Sequence, residues 1–220
     1  MEIYETEEEQ LDAVKRWWKE NGQSTIIGFG LGITIIFGWN YLQDHKREQA
    51  AQASDLYVQL VKAIETDKKD GIDALAERIK SEYPKTEYAV YSQLLLAKLK
   101  VQEGDIPTAK TILKAVSASS NKELSNVANL RLVRLMLATG EYEQGLELIN
   151  NVDPATSASF SGNYDELVVD LYVALDRLDQ ARSSYQKALE SGYKSPLLQI
   201  KIDDLTAPEK VAVQNTESGK

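Results

Sequence analysis

The sequence predicts an all-α protein: a single N-terminal transmembrane helix followed by a stack of helical hairpins. Two observations carry that prediction. Ser24–Leu42, STIIGFGLGITIIFGWNYL, contains no charged residue, the nearest charges being Glu20 and Asp44. Downstream, a pattern of small, apolar and turn-forming residues recurs, with Gly104, Gly140 and Asp176 at equivalent places 36 positions apart.

At about 1.5 Å rise per residue, 24–42 covers roughly 28 Å as a helix, close to the ~30 Å hydrocarbon core of a bilayer. Its apolar residues (Ile26, Ile27, Phe29, Leu31, Ile33, Ile35, Ile36, Phe37) lie on every side, where the core helix of a soluble domain would keep a polar stripe. Trp39 and Tyr41 stand at one edge, where amphipathic rings favour the headgroup layer. A cleaved signal peptide fits less well. The small-residue triplet Ala51-Gln52-Ala53 lies beyond Asp44, Lys46, Arg47 and Glu48, and the apolar run exceeds the usual ~7–15 residues of a signal core. Gly28 and Gly32 have the spacing that lets two membrane helices approach closely, which makes them candidates for helix packing.

Lys15, Arg16 and Lys19 precede the span, against Lys46 and Arg47 after it. Only lysine and arginine count in the positive-inside bias, so the N-terminus is expected in the cytoplasm and the large domain outside, in a periplasm if the cell is Gram-negative. The net charge of the 220 residues is −9 and the pI is near 4.8, which argues against nucleic acid, whose phosphates need clustered lysine and arginine. The absence of cysteine removes disulfides, thiolate catalysis, cysteine-bound metals and a lipoprotein anchor.

Residues 1–23 read as a short cytoplasmic arm. Thr6-Glu7-Glu8-Glu9 fits a capping box. Leu11, Val14 and Trp18 recur at helical spacing beside Trp17, and Asn21-Gly22 reads as a helix stop. The arm is either an interfacial helix lying on the headgroups or a docking segment for a cytosolic partner.

The soluble domain is expected over 43–205. Ala50, Ala53, Leu56, Tyr57, Leu60, Val61 and Ile64 line one face of a helix over 48–68. Asp70-Gly71 breaks it, and a shorter helix over 72–83 follows, stopped by Pro84. From there the 36-residue period holds. Ile106, Tyr142 and Leu178 align, as do Ala109, Gly145 and Ala181, then Leu113, Ile149 and Tyr185, then Val116, Val152 and Ala188. Leu96, Leu132 and Val168 align upstream, and so do Leu99, Leu135 and Leu171. A fixed period with matched apolar positions is the mark of stacked hairpins.

This pattern resembles the tetratricopeptide repeat, best in the unit holding Tyr172, Leu178, Ala181, Tyr185, Ala188 and Leu189. Three units and a degenerate first hairpin at 48–83 are expected. The departures are a missing early tryptophan, Gly145 in place of alanine and a period slightly above 34. Pro154–Gly162 reads as a loop. Leu197–Leu205 reads as a short final element, strand or helix, placed to cap the stack. Residues 206–220 read as a disordered tail.

Catalytic signals are sparse. His45 is the one histidine, and it has no cysteine or second histidine to join it in metal binding or general base work. Gly28-x-Gly30-x-Gly32 lies inside the apolar span and cannot cradle phosphate in water. Glu123, Glu141 and Glu143 fall where repeat surfaces meet solvent. The chain is therefore read as non-enzymatic and without cofactor or metal. In the repeat fold that the pattern resembles, the first helix of each hairpin lines an inner groove. By register that groove holds Tyr91, Leu94, Lys98 and Val101, then Val127, Leu130, Arg134 and Leu137, then Glu166, Asp170 and Val173. It reads as apolar with one basic stripe, suited to extended protein segments or an amphipathic helix. Packing of these residues on the first hairpin or on 197–205 is the competing reading.

Along its whole length the chain also resembles the YfgM family, ancillary subunits of the SecYEG translocon. The residues that carry this are Met1–Glu5, Ala13-Val14-Lys15-Arg16, Glu20-Asn21-Gly22, Gly38-Trp39, Asn129-Leu130-Arg131-Leu132 and Lys201-Ile202-Asp203-Asp204-Leu205. The resemblance implies a single-pass inner-membrane protein with a periplasmic repeat domain. It implies association with SecYEG and with a PpiD-like, membrane-anchored chaperone, and passage of unfolded secretory proteins to periplasmic chaperones. Two other readings stay open: a membrane tether for a cytosolic stress-response regulator through the arm, and an envelope-assembly scaffold.

Overall fold

The computed structural model describes residues 7–66, 71–190 and 195–206. Every regular element among them is helical: α1 (Glu7–Glu65), α2 (Ile72–Glu82), α3 (Glu87–Gln102), α4 (Ile106–Ser117), α5 (Lys122–Ala138), α6 (Tyr142–Asn150), α7 (Pro154–Ser157), a 3-10 turn (Ala158–Phe160), α8 (Ser161–Ala174), α9 (Leu178–Glu190) and α10 (Pro196–Thr206). The fold is all-α, an apolar N-terminal helix long enough to cross a membrane leading into tetratricopeptide-like hairpins.

α1 runs unbroken for 59 residues, about 88 Å at 1.5 Å per residue. Arm, apolar segment and first repeat helix are thus one rod. The stop expected at Asn21-Gly22 is not used. Asn21 instead donates its side-chain amide to the Trp17 carbonyl, 3.2 Å away, and the Trp18 indole lies over Gly22, within 3.3 Å of where a Cβ would sit. A helix-interior glycine costs only about 1 kcal/mol against alanine, too little to end a helix that continues into a long apolar run. Within 24–42 the large apolar side chains are uncovered, Phe29 and Phe37 each being 71% exposed. Ser24–Leu42 therefore packs on no other described residue and is, by length and composition, able to cross a membrane. Thr6 of the expected capping box and the tail after Thr206 lie outside the described residues.

Beyond the apolar run the same helix turns protein-facing. Ala53, Leu56 and Leu60 are buried, the last two against Ile72, Ala76 and Ile79 of α2 and Ala89 and Leu96 of α3. Three further cores follow, each built on a helix shared with the one before. Leu94, Ala97, Leu113, Val116, Ala128 and Leu132 join α3, α4 and α5. Leu130, Val133, Leu146, Tyr164, Leu167 and Leu171 join α5, α6 and α8. Val169, Ala181, Tyr185 and Ala188 join α8 and α9, with Ile202 and Leu205 of α10 packed on them. Each unit contacts its neighbours, as in a solenoid.

The 36-residue period has a backbone cause. Gly104, Gly140 and Asp176 all adopt positive φ, at 81°, 82° and 58°. Each follows the last turn of a helix, and in each case the next residue's N–H returns to a carbonyl of that turn: Asp105 to Lys100 at 2.8 Å, Glu141 to Met136 at 2.9 Å and Arg177 to Tyr172 at 2.9 Å. These are three copies of one Schellman stop. Each second helix then starts at the aligned Ile106, Tyr142 or Leu178.

Gly145 has a packing cause. A Cβ there would meet the Leu171 methyls at 3.0 and 3.2 Å, and Leu171 is fully buried. Glycine thus lets α6 lie close on α8 where the other units have room for alanine. The segment expected as a loop at 154–162 is instead a helical turn. Asp153 caps α7 by accepting from the Ala155 N–H at 2.9 Å, Pro154 takes the first position, and Ser157 is buried. Asn126, 3% exposed, holds this turn to the stack. It donates to the Thr156 carbonyl at 3.0 Å and accepts from the Tyr164 hydroxyl at 2.8 Å.

Asp176 is the one described non-glycine residue at positive φ, a conformation that strains an L-residue by about 1 kcal/mol. Asp176→Gly should stabilise the fold by roughly 0.5–1 kcal/mol, read as a raised unfolding midpoint of the detergent-solubilised chain. Gly140→Ala should lower it by a similar amount.

Candidate partner-binding surface

The residues expected to form an inner groove divide into two sets. Leu94 and Leu130 are each only 6% exposed and belong to inter-hairpin cores. Val127 and Leu137 are half-buried against those cores, and Val101 is half-buried as well. Lys98 and Arg134 are exposed. Neither makes an ion pair among the described residues. Arg131 extends this stripe and reaches the Leu94 carbonyl at 3.3 Å. What remains open on α3 and α5 is therefore basic rather than apolar. Simple i, i+3, i+4 counting could not show this, because α3 and α5 pack on both flanks, which turns the central leucines inward.

Aromatic rings border the stripe at its membrane-proximal end. Tyr91 is half-buried and stacks with Tyr57 and Tyr88, with ring centroids 5.7–6.3 Å apart. Its hydroxyl donates to Glu87 at 2.9 Å, and this bond, together with partial burial, holds the phenol above its ordinary pKa.

The far end is closed. Lys201 of α10 lies 3.0 Å from a Glu166 carboxylate oxygen and 2.7 Å from one of Asp170. Burial disfavours the Lys201 charge, but the two carboxylates outweigh it and raise its pKa. Two residues expected to face an open groove are thus occupied by the chain's own last helix. Val173, 40% exposed, lies outside that contact. The element expected as strand or helix is a helix, and Arg182 further ties it by donating to the Leu205 carbonyl at 3.0 Å.

Other expected features fall as follows. Gly28 and Gly32 face open space, with nothing within 4 Å of a Cβ at either. His45 is exposed. Glu141 and Glu143 are not idle surface charges: Lys110 pairs with Glu141 and Arg177 with Glu143, linking successive hairpins. The Lys110 bond, aided by the Thr139 hydroxyl, holds the Glu141 carboxyl below its usual pKa. A cleft of about 760 Å³ opens between α4 and α6, lined also by Asn129, Leu132 and Met136 of α5. Among the described residues no group of three or more histidines and carboxylates is placed to hold a metal ion.

Stacked hairpins with a sealed end and an open basic face define a repeat protein of the interaction class. Residues 15–207 match the family model for a tetratricopeptide repeat-like domain. Over 202 residues the chain is 32% identical to the ancillary SecYEG translocon subunit of Haemophilus influenzae, covering 90% of this chain and 97% of that one. It is 31% identical over 214 residues to the Escherichia coli protein of the same name, covering 94% and 100%. The Neisseria gonorrhoeae protein is more distant, 25% identical over 205 residues. No solved structure matches significantly. The chain belongs to the family of ancillary SecYEG translocon subunits, the YfgM family.

Lys201→Glu places a third carboxylate beside Glu166 and Asp170, so α10 should separate and uncover Ile202 and Leu205. We expect a loss of about 1–3 kcal/mol, together with faster hydrogen exchange concentrated in α8–α10 and unchanged exchange in α2 and α3.

Proposed function

We propose that this chain is a non-catalytic, membrane-anchored subunit of a SecYEG translocon assembly, held by 24–42 with its N-terminus in the cytoplasm and its repeat domain, 43–205, in the periplasm. The observation that carries this reading is the division of labour along α1: one helix offers an uncovered apolar segment of bilayer length and, further on, a face buried in the repeat stack. The family relationship, sustained over nine-tenths of the chain, supports the translocon as the assembly.

Within that assembly, the stripe of Lys98, Arg131 and Arg134 is the surface offered to a partner. Exposed cations without fixed counter-charges suit an extended or helical protein segment bearing carboxylates. A PpiD-like chaperone or an emerging secretory chain is the expected occupant, which makes the subunit a link between translocation and periplasmic folding. Gly28 and Gly32, open on the span, are the expected contact with another membrane helix.

The test is photo-crosslinking in native membranes, with the probe at Arg134 and separately at Gly32. Adducts to a periplasmic chaperone or secretory precursor at Arg134, and to a translocon subunit at Gly32, are the expected result. Lys98→Glu with Arg131→Glu should cut the Arg134 adducts about tenfold or more. Adducts only within the chain at Arg134 would contradict the surface assignment, and adducts only to unrelated membrane proteins at Gly32 would contradict the assembly.

A further inference from the structure

A second concave site lies where α1 leaves the apolar segment. Leu42, His45, Lys46, Gln49 and Ala50 of α1 face Pro84, Lys85, Thr86, Glu87 and Tyr88 of the α2–α3 corner across a cleft of about 770 Å³. The corner is fixed there by the Tyr83 hydroxyl, which donates to Gln52 at 3.1 Å, and by the Tyr57–Tyr88 ring contact. From Leu42 to Lys46 is about 6 Å along the helix, the depth of one headgroup layer, roughly 5–8 Å.

Cations outnumber carboxylates in the lining of this cleft, Lys46 and Lys85 against Glu87. Lys46 and Lys85 are exposed, and neither makes an ion pair among the described residues. The one carboxylate in the lining, Glu87, is engaged on both oxygens, by the Tyr91 hydroxyl at 2.9 Å and the Asn121 amide at 3.2 Å. Arg47 is paired with Asp44 at 3.7 Å. Leu42, Ala50 and Pro84 add apolar surface to the lining. Two free cations beside apolar surface, on a protein of net charge −9 and at headgroup depth, match the phosphate and glycerol backbone of an anionic phospholipid.

We propose that this cleft binds one anionic phospholipid headgroup, with Lys46 and Lys85 on the phosphate, and so fixes the tilt of the repeat domain against the membrane. The proposal rests on the membrane-spanning reading of 24–42. It also gives the α2–α3 corner, which faces the α1 residues just past Leu42, a role that the repeat pattern does not.

The full chain in lipid nanodiscs would be exposed to photoactivatable phosphatidylglycerol or phosphatidylcholine, with adducts mapped by peptide mass spectrometry. Phosphatidylglycerol adducts should concentrate in 42–50 and 84–88 and exceed those of phosphatidylcholine there. Near an anionic surface each lysine contributes about fivefold in affinity, so Lys46→Gln with Lys85→Gln should reduce these adducts roughly thirtyfold, while adducts around Lys15–Lys19 persist as an internal standard. Both lysines are exposed, and an unchanged melting curve verifies the fold. Equal labelling of the cleft by the two lipids, or labelling that survives the double substitution, would overturn the proposal while leaving the span intact. An acyl-chain probe that fails to label 24–42 would overturn the membrane reading itself.

Discussion

The structure depends on one constraint: α1 must satisfy two solvents in succession without interruption. Between residues 24 and 42 it meets no protein, and from Ala53 onward it is the first wall of a packed stack. A loop between the two regimes would let the domain swing freely. A continuous helix prevents this. It also makes the bearing of the whole solenoid a property of the span, since every later core is built on a helix shared with the core before it.

Such a chain of shared helices needs a beginning and an end. α1 supplies the beginning and α10 the end, the latter held by Lys201 between Glu166 and Asp170 and by Ile202 and Leu205 on the last core. Ion pairs between hairpins, such as Lys110–Glu141 and Arg177–Glu143, are partly or largely exposed and contribute little stability each. Their effect is to set the register of one hairpin on the next. Between the two ends, α3 and α5 leave Lys98, Arg131 and Arg134 without an ion pair among the described residues.

Much of this was legible in the sequence because it is written in local backbone chemistry. Three positions 36 residues apart all need a left-handed conformation, and glycine or aspartate at each announces it. The apolar run announces itself by length. Less legible were features set by tertiary distance. Leu94 and Leu130 look like groove residues by spacing but are drawn into cores because α3 and α5 have partners on both sides. Glu166 and Asp170 look like groove residues by register until Lys201, more than 30 positions away, is folded onto them. The Asn21-Gly22 stop misled because a glycine's cost is small beside the cooperativity of a long helix. The cleft at Lys46 and Lys85 left no sequence signal, since its two walls are joined only by the packing of α2 and α3 on α1.

The continuity of α1 is the claim on which the rest stands. The chain has no cysteine, so spin labels can be placed at will. With labels at Lys19→Cys and Glu48→Cys in a bilayer nanodisc, an unbroken helix predicts a narrow inter-label distance centred near 44 Å, from 29 residues at about 1.5 Å each. A broad distribution with its weight well below 40 Å would mean a hinge near Asn21-Gly22 or at the membrane exit, and would contradict the account.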